Sequence, residues 1–219
     1  MSGARPRRAT VVGAGGLGGP IALALADDGV EVTIVDPDVV ELSNLHRQLA
    51  FTDDDLGAGK ADSLARLIRA CGGAATSHAG RFDAETAAGL LRAADLLVDG
   101  SDDPATKFLV ADLAGAAGLP HVIASAVELG GNVFVGGPGA ACYRCLFEAP
   151  PAEAPSCADA GVLGPVVAWI GGVAAEHGLR LLAGDSGDAG VIWIVEHVDR
   201  PPRTLRLERR PGCACEARA

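Results

Sequence analysis

The sequence predicts an α/β fold, a Rossmann-like doubly wound and mostly parallel sheet, from three observations. Short β-branched runs at Ala9–Gly13, Val30–Val35 and Asp95–Val98 alternate with stretches of helical period. The first run leads into the glycine loop Gly13-Ala-Gly15-Gly16-Leu-Gly18, and the second ends at Asp36. The chain has 219 residues and is 49% apolar, which suits one α/β domain with its own core. Thirty glycines and an aromatic content of only 4% point to close packing of Ala, Val and Leu helices on a Val/Ile sheet.

The elements follow in order. Pro20–Asp28 reads as a helix after the glycine loop, and Lys60–Ala70 as another, with Leu64, Leu67 and Ile68 at helical spacing. Asp83–Ala93 is a third helix, and Pro104 opens a fourth at a favoured first-turn position. Pro120–Ser125 and Asn132–Gly136 are strands. Alternation of strand and helix implies parallel pairing with crossover helices. Cys142–Asp159 lacks periodicity and is expected to be a loop, Gly161–Leu182 a long apolar helix, and Val191–Val198 with Thr204–Leu207 a terminal strand pair. One domain over residues 1–219 is expected, with a nucleotide-binding part at 9–136 and a zinc-knuckle and C-terminal part at 137–219.

A net charge of −10 argues against a general nucleic-acid or anionic-membrane surface. The apolar run Ala160–Ala175 is too short and too rich in Gly and Pro to span a bilayer. The basic stretch Met1–Arg8 precedes a strand and a glycine loop, not a cleavable apolar segment. A cytoplasmic location is expected, so the six cysteines (Cys71, Cys142, Cys145, Cys157, Cys213 and Cys215) are not read as a disulfide framework.

Gly13, Gly15 and Gly18 fit G-x-G-x-x-G between a strand and a helix: a tight turn, a backbone open to phosphate, and close helix packing. Asp36 at the next strand end can accept hydrogen bonds from ribose hydroxyls. On the loop alone, NAD is the first guess. The following segment, Asp38-Val-Val-Glu-Leu-Ser43-Asn44-Leu-His46-Arg47-Gln48, and Lys60 beyond it favour ATP. A triphosphate gives Arg47 and Lys60 charge-assisted partners, which a dehydrogenase does not need here. Asp102, in Asp99-Gly-Ser-Asp102-Asp103, can offer a hard oxygen to magnesium.

Taken together, Gly-Ala-Gly-Gly-Leu-Gly, Ser-Asn-Leu-His-Arg-Gln, Lys60 and Asp102 resemble the ThiF/MoeB/HesA family, relatives of ubiquitin-activating enzymes, from Ala9 to Cys215. The resemblance implies that Asp36 holds the ribose, that Asn44, Arg47 and Lys60 hold the phosphates, and that Asp102 holds magnesium. Gly16, Asp38 and Gln48 are counted in the same nucleotide site. Arg47, Lys60, Asp102 and Cys157 are the expected catalytic residues.

Cys142-Tyr-Arg-Cys145 and Cys213-Ala-Cys215 supply four thiolates suited to one tetrahedral zinc. The second pair departs from the C-x-x-C usual in the family. Cys157, before the long helix, resembles the family's crossover-loop cysteine, which in some members bonds covalently to the carrier's activated C-terminus. Cys71 is expected only to pack. The N-terminal helix with an Arg-x-x-Arg-Gln element is missing, with Arg5, Arg7 and Arg8 as conceivable substitutes, and Asp103 and Lys107 stand where Asn and Arg are usual.

The expected reaction is ATP-dependent adenylation of the C-terminal glycine of a ubiquitin-like sulfur-carrier protein ending in Gly-Gly, with release of pyrophosphate, on the way to a thiocarboxylate. ATP, magnesium and zinc are the expected cofactors; the partners are the carrier, a sulfur donor and a second copy of the chain. The rival readings are a nicotinamide-dependent oxidoreductase, a degenerate non-catalytic binder of a ubiquitin-like protein, and the same chemistry on another carboxylate.

Overall fold

The computed structural model describes residues 5–151 and 161–218. An eight-stranded sheet has the order β3-β2-β1-β4-β5-β6-β7-β8. β1 (Arg8–Val12) lies at its heart, parallel to β2 (Glu31–Val35) and to β4 (Leu96–Asp99). β3 (Ala75–His78) extends the parallel half on one side and β5 (His121–Val127) on the other. Beyond β5 the pairing is antiparallel through β6 (Gly130–Gly136), β7 (Val191–Val195) and β8 (Arg203–Arg206). The predicted doubly wound fold and C-terminal strand pair are both present.

Side chains alternate across this sheet and feed two cores, as the period of two requires. Val11, Ile34 and Val98 face α1 (Gly18–Asp27), α2 (Lys60–Ala70) and α6 (Gly164–Leu182). Val12, Val35 and Leu97 face the opposite layer, α3 (Ala84–Ala93), α4 (Pro104–Ala117) and the short α5 (Tyr143–Leu146). Both faces of the parallel strands are therefore covered, and that is why they read as continuous apolar runs.

Two glycines are demanded by geometry. Gly13 turns the chain out of β1 with φ of 91°, and a side-chain carbon on Gly18 would sit 1.8 Å from the Gly13 carbonyl oxygen. Only glycines let α1 start this close beneath β1.

The structure corrects several expectations. β3 was not read from the sequence, and α5 interrupts the expected loop after Cys142. α6 begins at Gly164; ahead of it, residues 161–163 bridge to the β5–β6 turn, Gly161 accepting from the Glu128 amide at 3.0 Å. Much of α6 is buried, including Val166, Ile170, Ala174 and Leu181, against α1 and the sheet. The helix is therefore covered largely by its own chain, leaving Trp169 (39% exposed) and the adjoining Leu163 (46%) open to a partner. Cys71 caps the end of α2 and is exposed instead of packed. Cys157 lies outside the described residues.

Candidate functional site

The strand order reverses between β1 and β4, and ligands in open α/β sheets sit at the carboxyl ends of the strands on either side of that point. A cavity of about 950 Å³ opens there. Its lining includes Gly13, Gly15, Gly16, Asp36, Asp38, Arg47, Gln48, Lys60 and Asp102. Eleven predicted ATP-site residues thus divide into nine on the wall and two behind it. Gly18 lies under the turn, and Asn44 stands behind Arg47, accepting from its Nη2 at 2.6 Å.

One wall comes from the segment after β2. The Asp36 carboxylate accepts from the Ala14 amide at 2.6 Å and the Asp38 amide at 2.8 Å, which ties the glycine loop to the strand end. Burial pushes its pKa above the ordinary carboxylate value, against the pull of those two amides and of Lys60. Lys60 sits at the first residue of α2, only 7% exposed, with Nζ 2.9 Å from Asp38 Oδ2. An ammonium has three donors, so one bond to a carboxylate that is itself 63% exposed leaves capacity for a ligand. Gln48 is buried, and its Oε1 has no hydrogen-bond partner among the described residues.

The facing wall follows β4. Asp99 is fully buried, accepting from Ser101 Oγ at 2.7 Å and from Lys107 Nζ at 2.8 Å. Burial raises its pKa against the opposing pull of Lys107 and Ser101. Lys107 also donates to the backbone carbonyls of Ser101 and Ala124, each at 2.7 Å. Asp103 caps α4, taking the Ala105 and Thr106 amides at 3.1 Å each; burial works upward on its pKa, but the capping bonds with Thr106 and Ala105 bring it below normal. Asp102 lies between these anchors, exposed, with no hydrogen-bond partner among the described residues. The lining also includes the apolar Val127, Phe147 and Val162, and Asn132, whose amide oxygen is buried.

The four predicted ligand cysteines converge. Cys142 Sγ lies 3.8 Å from Cys145 and 3.6 Å from Cys213, and Cys145 lies 3.4 Å from Cys215. All four sulfurs fall within 4.8 Å of one another. A tetrahedral zinc with Zn–S of about 2.3 Å needs sulfur separations of roughly 3.8 Å, so the donor set fits that ion. Burial, then bonds with Cys213 and Cys215, push the Cys142 thiol up; Cys213, raised by burial, is brought down to about 7 by Cys215 and its other sulfur neighbours. Four thiolates this close repel one another unless a cation neutralises them. The shortened Cys213-Ala-Cys215 spacing does not prevent convergence: Cys213 directly precedes a 3-10 turn over Ala214–Arg218 that carries Cys215.

The N-terminal arginines do not reach the cavity. Arg5 is bound to Asp95 and Arg7 to Asp28 at 2.8 Å, both at the amino-terminal edge of the sheet. Arg8 is part of β1.

The model of the ThiF family matches residues 4–215. The chain belongs to the ThiF family. This family member is 38% identical to the adenylyltransferase and sulfurtransferase uba4 of Emericella nidulans, over 98% of the chain and 49% of that protein. It is also 38% identical to the sulfur carrier protein adenylyltransferase of Thermus thermophilus, over 95% of the chain and 82% of the relative. It is 37% identical to the SAMP-activating enzyme E1 of Haloferax volcanii, over 94% and 78% of the two chains. The chain spans about half the length of the first curated relatives it matches. Among solved structures, Escherichia coli MccB with ATP superposes with a TM-score of 0.80 at 20% identity, over 95% of this chain and 66% of that one, which establishes the shared fold.

In the sequence Lys107 stands out only as a departure from the family pattern and Asp99 only as a carboxylate at a strand end, and neither their bond nor a role for Ser101 is visible there. A lysine three residues into a helix that starts at a strand's carboxyl end was the available signal.

Proposed function

We propose that this chain binds ATP and adenylates the C-terminal glycine carboxylate of a ubiquitin-like sulfur-carrier protein ending in Gly-Gly, releasing pyrophosphate on the way to a thiocarboxylate. The observation that carries this reading is the union, in one cavity at the topological switch, of Asp36, Arg47, Lys60 and Asp102. The names of the Thermus and Haloferax relatives support the adenylation step and the class of partner.

In this reading the carrier carboxylate attacks the α-phosphorus and pyrophosphate leaves. Asp36, already oriented by two backbone amides, accepts from the ribose hydroxyls. Arg47, steadied by Asn44, and Lys60 bind phosphate oxygens, so the reacting groups are aligned and charge is neutralised. A magnesium ion, for which Asp102 offers an uncommitted carboxylate at the cavity rim, supplies further charge neutralisation when bound. Zinc on Cys142, Cys145, Cys213 and Cys215 is structural: a four-sulfur shell keeps no open position. The apolar lining at Val127 and Phe147 receives the carrier's tail.

We take residues 1–219 as one functional domain, its nucleotide part at 9–136 continuing by the same sheet into the part at 137–219. A homodimer using Leu163 and Trp169, a sulfur donor and a cytoplasmic setting complete the proposal. No helix described is long and apolar enough to cross a membrane.

The test is direct. ATP, but not NAD(H), raises the melting temperature, and pyrophosphate is released when a Gly-Gly carrier is added. Stabilisation by NAD(H) alone defeats the ATP reading. Pyrophosphate release with the carrier also refutes the rival of a binder without turnover. Cys157→Ala keeps ATP–pyrophosphate exchange and loses thiocarboxylate if that thiol receives the acyl group; normal thiocarboxylate makes it a bystander.

A further inference from the structure

Lys107 lines the same cavity as the proposed phosphate-binding cations, yet it has nothing left to give a phosphate. Its ammonium is 6% exposed as a residue and its three hydrogens meet three acceptors: Asp99 Oδ2 at 2.8 Å, the Ser101 carbonyl at 2.7 Å and the Ala124 carbonyl at 2.7 Å. Asp99 is the last residue of β4 and Ala124 belongs to β5, so one side chain joins two strand ends to the segment between β4 and α4. Ser101 is bound twice, since its hydroxyl donates to the other Asp99 oxygen at 2.7 Å. From the opposite side the glycine loop closes on the same segment: a side-chain carbon at Gly13 would come within 2.9 Å of Gly100 C and Ser101 N. Residues 100 and 101 are thus clamped from both sides, and the next residue is Asp102, which has no such tie.

We propose that Lys107 is a positioning residue for the divalent-cation site: bonded at once to Asp99 and the Ser101 and Ala124 carbonyls, it fixes the segment that presents Asp102 to a nucleotide-bound cation. The inference rests on the reading of Asp102 given above. It makes Lys107 an indirect participant whose removal weakens metal-assisted ATP binding more than ATP binding itself. Outer partners of metal ligands act in this way, and their loss costs about 10–100-fold in metal affinity.

The experiment measures the Kd for ATP by titration calorimetry with magnesium and with EDTA, in wild type and Lys107→Met. The readout is the ratio of the two Kd values. Magnesium tightens ATP binding to wild type, and in the variant that ratio falls by about tenfold. A ratio equal to that of wild type overturns the inference, whether affinity is unchanged or drops equally in both media; an equal drop is what a direct phosphate contact or general damage to the pocket gives. If Lys107→Met does not fold, Lys107→Gln, whose amide can keep two of the three bonds, is read by the same ratio. A wild type whose ATP affinity ignores magnesium overturns the Asp102 reading together with this one. A responsive wild type with an equally responsive variant overturns only the role of Lys107.

Discussion

The two walls of the cavity each carry a buried lysine, and they use it differently. On the wall after β2, Lys60 has one partner, Asp38, which is itself largely in water. On the wall after β4, Lys107 has three partners, of which Asp99 is wholly buried. Burial alone would have put both lysines among the candidate phosphate ligands; donor counting separates them, one available to a ligand and one committed to the scaffold. The walls also differ in what supports them. The first is made of short-range turns around the glycine loop. The second leans on α4, which is in turn stapled to the segment bearing Cys142 and Cys145: Tyr143 packs edge-on to Phe108 at 5.1 Å, and Arg144 binds Asp112 at 2.8 Å with its guanidinium 4.9 Å over the Phe108 ring.

The harshest way to break this contrast is to remove zinc. Chelation or Cys142→Ser is expected to lower stability by more than about 5 kcal/mol, because four clustered sulfurs, two of them buried, lose the ion that lets them ionise together. Melting followed by calorimetry, with zinc measured on the same sample, checks this. A metal-free wild type of full stability defeats the assignment.

Next come the two lysines. Lys107→Met strands Asp99 in the interior and is expected to cost about 3–5 kcal/mol of folding stability. Lys60→Met, which keeps the buried stem and leaves Asp38 hydrated, costs less than about 1 kcal/mol of stability. Its expected effect is on function: ATP–pyrophosphate exchange falls at least about tenfold, or 1.4 kcal/mol. Arg47→Ala should behave like Lys60→Met. If Lys60 proves the costlier for folding and Lys107 the costlier for Mg-free ATP binding, the contrast between the walls is reversed.

The smallest effect lies in pH. His121 and His177 are both buried, and burial depresses their pKa values below the ordinary histidine value near 6.5, outweighing the Leu119 carbonyl in one case and Asp188 in the other. A neutral form favoured by the fold means that the unfolded chain takes up protons first on acidification. Their contribution is therefore intact above pH 6.5 and is lost as pH falls through it, by up to about 1.4 kcal/mol per pH unit for each histidine. The raised pKa values of Asp36 and Asp99 act in the opposite sense above 3.8 and reduce the net slope. His121→Leu should flatten the decline in melting temperature between pH 7 and 5. An unchanged slope removes His121 from the account.

Much of this arrangement was legible in the sequence, for identifiable reasons. The parallel strands β1, β2 and β4 are buried on both faces and so stand out as apolar runs, and the glycine loop is fixed by close approach. The paired cysteines announced their convergence because thiols so spaced have few other uses. β3 escaped notice because Ala75–His78 is a four-residue edge strand, half exposed and polar. Cys71 misled because the apolar stretch of α2 stops one turn before it. The role of Lys107 could not be read: two of its three acceptors are backbone carbonyls, which have no residue identity, and one of them belongs to β5. Nor did the apolar character of α6 reveal how far β5, β6 and β7 extend the sheet to cover it.

That extension leaves β8 as a margin of the sheet, unpaired on its outer side among the described residues. All four of its residues are exposed, and Arg203 and Arg206 stand at its ends. A bare strand margin offers unpaired amides and carbonyls to any other strand, and is a common seed for aggregation. Here two like charges on four residues oppose end-on stacking of the margin with its own copy, although the molecule as a whole is acidic. The same arginines are drawn back onto the body of the protein, Arg203 to Glu196 and Arg206 to the carbonyls of Gly187 and Ala189, so the guard is held in place by the fold it protects. The guard against edge-to-edge pairing thus sits at the opposite end of the sheet from β3.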